Sequence, residues 1–146
     1  ATTEIYTLSL HDALPISNNH CMLGHLMEWL YSGLGGIRQS SGSAAYKEIV
    51  IRPQVVGDIH SAAVSFRSPY GLIRSEWSDS PQQYRQRVEI PANTTALVYL
   101  PAVDPATVSE SGIPLGEAQG LSVRERGKDY LAVAVGSGVY DFRVAR

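Results

Sequence analysis

The chain has 146 residues, 44% hydrophobic and 18% charged, with a net charge of −2 and one cysteine. That is the length of a single ordinary domain with the composition of a globular protein. The near-neutral balance implies neither a nucleic-acid nor a membrane-surface partner, Cys21 has no second cysteine for an internal disulfide, and no run nears the roughly 18 apolar residues of a membrane helix.

Residues 1–16 stand apart from the rest of the chain. They read as the conceptual translation of a common sequencing-library adapter, and are expected to be a disordered artefact outside the fold. His11 and Asp12, an otherwise tempting catalytic pair, are set aside with them.

Asn19–Trp29 holds two His, one Glu, one Trp and the sole Cys in eleven residues. His20, Gly24 and Glu28 recur at i, i+4 and i+8, which stacks them on one helical face. Leu23, Leu26, Met27 and Leu30 form the apolar part of the same amphipathic segment. Asn19 suits an N-cap, and Gly33, Gly35 and Gly36 suit a stop. The helical unit is therefore expected over 17–37, with the small glycine leaving room for something to lie between an imidazole and a carboxylate. A Gly- and Ser-rich linker is expected over 38–45.

From Tyr46 the period changes from helical to alternating. Tyr46–Arg52, Ala62–Phe66, Leu72–Trp77, Tyr84–Ile90 and Thr95–Leu100 read as strands. Ser68-Pro69-Tyr70-Gly71 and Pro91-Ala92-Asn93 read as turns between them. Pro101–Gly120 is expected to be a loop with one short strand near Ile113. Leu121–Arg126 and Tyr130–Val135 flank a tight hairpin turn at Gly127-Lys128. Gly136-Ser137-Gly138 makes another before Val139–Val144. Seven or eight short strands predict an antiparallel β-sandwich over 46–146, mainly β, preceded by one helix. A single helix with apolar flanks cannot bury itself and is expected to belong with further helices.

Several stretches carry a family resemblance. They are Asn19-His20-x-x-x-Gly24-x-x-x-Glu28-Trp29 with Leu30-Tyr31 and Gly35-Gly36-Ile37; Tyr46 to Pro53; Ser68 to Ile73 with Trp77; and Ile90 to Ala96 with Tyr99-Leu100-Pro101. Together they resemble the end of the catalytic domain and the C-terminal β-domain of bacterial α-L-rhamnosidases, glycoside hydrolase family 78. The resemblance implies the last inner helix of an (α/α)6 barrel joined to a β-sandwich. It implies hydrolysis of terminal α-L-rhamnose from glycosides with inversion, the partners being that substrate and an upstream catalytic barrel of the same parent chain. It places the general base at Glu28 and a sugar-pocket residue at His20, and leaves the general acid upstream, outside this chain. Leu26-Met27 departs from the small residues usual before the Glu-Trp pair.

A base on a rigid helix suits an inverting mechanism, which holds two carboxyls roughly 6.5–9.5 Å apart around a water. Trp29 offers an indole face to a sugar ring or to packing. His25, off that face, reads as structural. No metal and no cofactor are expected, since no second cysteine offers metal spacing. Two other functions fit the pattern: a carbohydrate-binding or structural β-sandwich module, and the end of another (α/α)6-barrel glycosidase or sugar phosphorylase.

Overall fold

The structure is a computed structural model, and it describes residues 21–146. Helix α1, Cys21–Trp29, runs straight into a π-helical turn, Leu30–Leu34, closed by the Gly35 N–H on the Leu30 carbonyl at 2.9 Å. Helical residues thus stop at Leu34 rather than 37. Gly36 ends them with φ +68, a conformation that costs glycine nothing. A Cβ there would stand 2.1 Å from the Arg52–Pro53 peptide.

Eleven strands complete the described residues. They are β1 Ile37–Gln39, β2 Glu48–Ile51, β3 Ser61–Ser68, β4 Gly71–Asp79, β5 Gln83–Ile90, β6 Thr95–Leu100, β7 Val108–Glu110, β8 Ile113–Pro114, β9 Ser122–Arg126, β10 Leu131–Val135 and β11 Gly138–Ala145. They form two sheets, a five-stranded one in the order β1-β2-β6-β10-β9 and a six-stranded one in the order β3-β4-β5-β11-β7-β8. The mainly-β sandwich is as expected. Pairing is antiparallel except between β2 and β6, which run parallel because β3, β4 and β5 leave for the other sheet between them.

Alternation builds the core. Along β5, Tyr84, Gln86, Val88 and Ile90 are buried while Arg85 and Arg87 face water. Ile49, Ile51, Val98, Leu100 and Val133 of one sheet meet Ile73, Trp77, Val88, Phe142 and Val144 of the other. The Pro69-Tyr70 turn is as expected, with Ser68 paired to Gly71. Other expectations change. The stretch expected as linker opens with residues of β1, which pairs Ile37–Gln39 against β2. The turn at Gly127-Lys128 is a four-residue loop, the Gly127 N–H reaching the Tyr130 carbonyl at 2.9 Å, because Leu131 pairs with Arg126. Gly136-Ser137 joins no hairpin: it carries the chain from β10 in one sheet to β11 in the other. The long loop also holds β7 besides the strand at Ile113, and β7 gains its order by pairing with β11.

Candidate functional site

The helical segment is tied to the sandwich at its C-terminal end. The Trp77 indole N–H donates to the Leu34 carbonyl at 2.8 Å, and the Gln54 N–H to the Gly33 carbonyl at 3.0 Å. Gly33 is required here, since a Cβ would sit 2.9 Å from the Trp29 indole lying over it. Leu34 packs on the core, so the turn is anchored from beneath. The preceding turns have no such cover: Leu26, Met27 and Trp29 are 54%, 44% and 39% exposed.

Glu28 is exposed, one turn before that anchor. Ser32 Oγ donates to the Glu28 carbonyl at 2.7 Å, and Arg38 Nε donates to the Ser32 carbonyl at 2.8 Å. The Glu28 carboxylate has no hydrogen-bond or ion-pair partner among the described residues. It lines an open groove of about 510 Å³ with Tyr31, Arg38, Gln39, Tyr46 and Phe66. Gly24 leaves open space, as a Cβ there would meet nothing within 4 Å. His25 is exposed rather than packed. His20, Asn19, His11 and Asp12 lie outside the described residues. Trp29 turns toward Gly33 and does not line the groove that Glu28 shares.

Apart from Tyr46, which opens one of the stretches of family resemblance, the residues of the groove's other wall are not singled out in the sequence. Arg38 and Gln39 sit on β1, a three-residue strand inside a Gly- and Ser-rich stretch, and Tyr46 sits just past it. Phe66 shows in the sequence only as an apolar position of the β3 alternation. Its ring centroid lies 4.7 Å from that of Tyr46 and 6.0 Å from that of Tyr31.

A second cluster is self-contained. The Arg52 guanidinium lies 4.8 Å and 5.0 Å from the Tyr99 and Tyr130 ring centroids, within cation–π range. Both phenols hydrogen-bond Glu125. Desolvation first, then the Glu125 charge, hold Tyr99 above the ordinary phenol range, while the hydrogen bond to Glu125 leads in raising Tyr130. The cluster ties Tyr99 of β6 to Glu125 of β9 across β10. Among the described residues no group of three His, Cys, Asp or Glu side chains is placed to hold a metal ion, and no helix is long and apolar enough to cross a membrane.

Comparison with known proteins gives a consistent result. The family described as bacterial alpha-L-rhamnosidase C-terminal domain matches residues 36–113, just over half of the chain. An alpha-L-rhamnosidase of Streptomyces avermitilis is 35% identical over 129 residues, covering 88% of this chain and 12% of that protein. The crystal structure of Streptomyces avermitilis alpha-L-rhamnosidase complexed with L-rhamnose matches with a TM-score of 0.71 at 30% identity, over 83% of this chain and 11% of that one. The alpha-L-rhamnosidase structure from Dictyoglumus thermophilum matches with a TM-score of 0.74 at 26% identity, over 87% of this chain and 14% of that one. The chain thus spans about an eighth of the length of the relatives it matches.

Proposed function

We propose, from the premise that this chain belongs to the bacterial α-L-rhamnosidase C-terminal domain family, that it works as the C-terminal part of a larger α-L-rhamnosidase. In this reading α1 is the last helix of an (α/α)6 catalytic barrel, and the sandwich comes after it. The observation that carries the reading is the split character of the helical segment. Its end is hydrogen-bonded into the sandwich, yet Leu26, Met27 and Trp29 in the turns before it remain exposed. An apolar stripe of that kind is what a helix packed among other helices buries.

The parent hydrolyses terminal α-L-rhamnose from glycosides with inversion. An inverting hydrolase needs one carboxylic acid to protonate the leaving oxygen and one carboxylate to activate water on the opposite ring face. Glu28 supplies the base, its partner acid coming from the barrel. His20 contacts the sugar in the same pocket, and Trp29 supplies an apolar face near it. Because a single carboxylate cannot do both steps, this chain alone releases no rhamnose.

A second reading of Glu28 has its own support. Glu28 lines a groove with Arg38, Tyr46 and Phe66 of the sandwich side. It then serves the junction between helix and sandwich, and the base lies elsewhere in the barrel.

One experiment separates these readings. Residues 17–146 replace the stretch of the Streptomyces avermitilis enzyme with which they align, and release of rhamnose from an aryl α-L-rhamnoside is measured. The graft is expected to be active and the isolated chain inactive. Glu28→Gln in the graft is expected to cost about a thousandfold or more in kcat with the melting temperature preserved. A loss under about tenfold assigns Glu28 to the junction. An inactive but folded graft, or rhamnose released by the isolated chain, overturns the reading itself.

A further inference from the structure

We propose that the groove between the π-helical turn and β1 is a binding site for a neutral pyranose ring, stacked on Tyr46 and Phe66 and hydrogen-bonded by Arg38 and Glu28. The proposal rests on the rhamnosidase reading for its class of ligand, and not on any catalytic role of Glu28.

The groove has the size and lining of a saccharide site. At about 510 Å³ it falls within the range of roughly 300–1,000 Å³ usual for small-molecule pockets. Tyr31, Tyr46 and Phe66 give it a partly apolar wall, against which the C–H face of a pyranose can lie. Arg38 Nε donates to the Ser32 carbonyl at 2.8 Å, and its two terminal nitrogens have no partner among the described residues. The Glu28 carboxylate is equally unengaged among them. A sugar hydroxyl both donates and accepts, so adjacent hydroxyls can satisfy a carboxylate and a guanidinium together. One cation and one anion also cancel, so a charged sugar would meet a like charge on one side.

A tight turn positions Tyr46 on the groove wall. Ala45 and Tyr46 have φ +55 and +64, two successive non-glycine residues in the left-handed region. Each such residue costs roughly 1–2 kcal/mol and is kept only where its surroundings hold it. They do so here. Gln39 Oε1 accepts from the Tyr46 N–H at 3.0 Å, Gln39 Nε2 donates to the Ser43 carbonyl at 2.6 Å, and Ser43 Oγ accepts from the Glu48 N–H at 2.9 Å. The Lys47 N–H closes the turn on the Ala44 carbonyl at 3.1 Å, and the Tyr46 ring is set against Phe66 on the groove wall.

The test uses the whole 146-residue chain. Methyl α-L-rhamnopyranoside and methyl β-D-glucopyranoside are titrated in turn while protein NMR shifts are followed. Saturable shifts are expected at Arg38, Tyr46 and Phe66 for at least one of them, with a Kd on the order of 1 mM. Tyr46→Ala and Arg38→Ala should each weaken binding about tenfold or more at an unchanged melting temperature, and Tyr46→Phe, which keeps the ring, should retain it. No saturable shift with either sugar, shifts confined to another surface, or folded variants that bind like the parent would each overturn the site. If Tyr46→Ala does not fold, Arg38→Ala decides. Binding by the chain beside an inactive graft would sustain this site and sink the hydrolase reading; an active graft without binding would do the reverse.

Discussion

Asp141 accepts two hydrogen bonds from one guanidinium, Arg85 Nε at 2.7 Å and a terminal nitrogen at 2.8 Å, with Arg143 at 3.5 Å. The bond from Arg85 leads in holding the Asp141 carboxyl below its ordinary value of 3.8. The folded value is thus lower than the unfolded one, so the pair's stabilisation is fully present above the unfolded value and is lost as pH falls through the folded value. Asp141→Asn should therefore lower the melting temperature at pH 7 by no more than a few degrees, the pair being largely at the surface. The gap to the unsubstituted chain should narrow on acidification below the ordinary 3.8, as followed by thermal melts across pH. Gly36→Ala belongs to this scale with a larger effect. A Cβ 2.1 Å from the Arg52–Pro53 peptide meets main-chain atoms, which no rotamer change relieves. We expect a loss of more than about 3 kcal/mol, or no folding, in a denaturant titration. The glycine run was legible as a stop. That Gly36 in particular must stay glycine was not, because the peptide it abuts is 16 residues further along the chain.

Elements were legible where side chains alternate against one neighbour and illegible where a distant partner makes the order. β5 reads directly from Tyr84, Gln86, Val88 and Ile90, and burial holds the Tyr84 phenol above its ordinary value as it donates to Gln86. β1 and β7 have three residues each and little pattern of their own. They are strands because β2 and β11 offer them hydrogen bonds. The helical segment depends on the sandwich in the same way. Nine helical residues are too few to be stable alone in water. Trp77→Phe removes the indole bond to the Leu34 carbonyl, at a cost of about 1 kcal/mol, while keeping most of the buried ring. Amide exchange should quicken through Leu30–Leu34 and remain slow in β5 and β10. Equal quickening in all three would mean that the helix and sandwich open as one unit.

Across the whole molecule, the two sheets share one core, and Phe142 is fully buried in it. Phe142→Ala should cost about 3–5 kcal/mol in chemical denaturation, with the sheets failing together in a single transition. Composition, alternation and turn residues by themselves determined a mainly-β sandwich, the position of most strands, and the helix that carries Gly24 and Glu28. Those properties depend on residues within a few positions of each other, and local order along the chain encodes them. Only the tertiary structure decided that β2 lies parallel to β6, that Gly136-Ser137 crosses between sheets, and that Arg38, Tyr46 and Phe66 wall the groove beside Glu28. Each of those needs groups far apart along the chain to meet, and the energy that brings them together is burial shared by both sheets, which no single stretch of sequence carries.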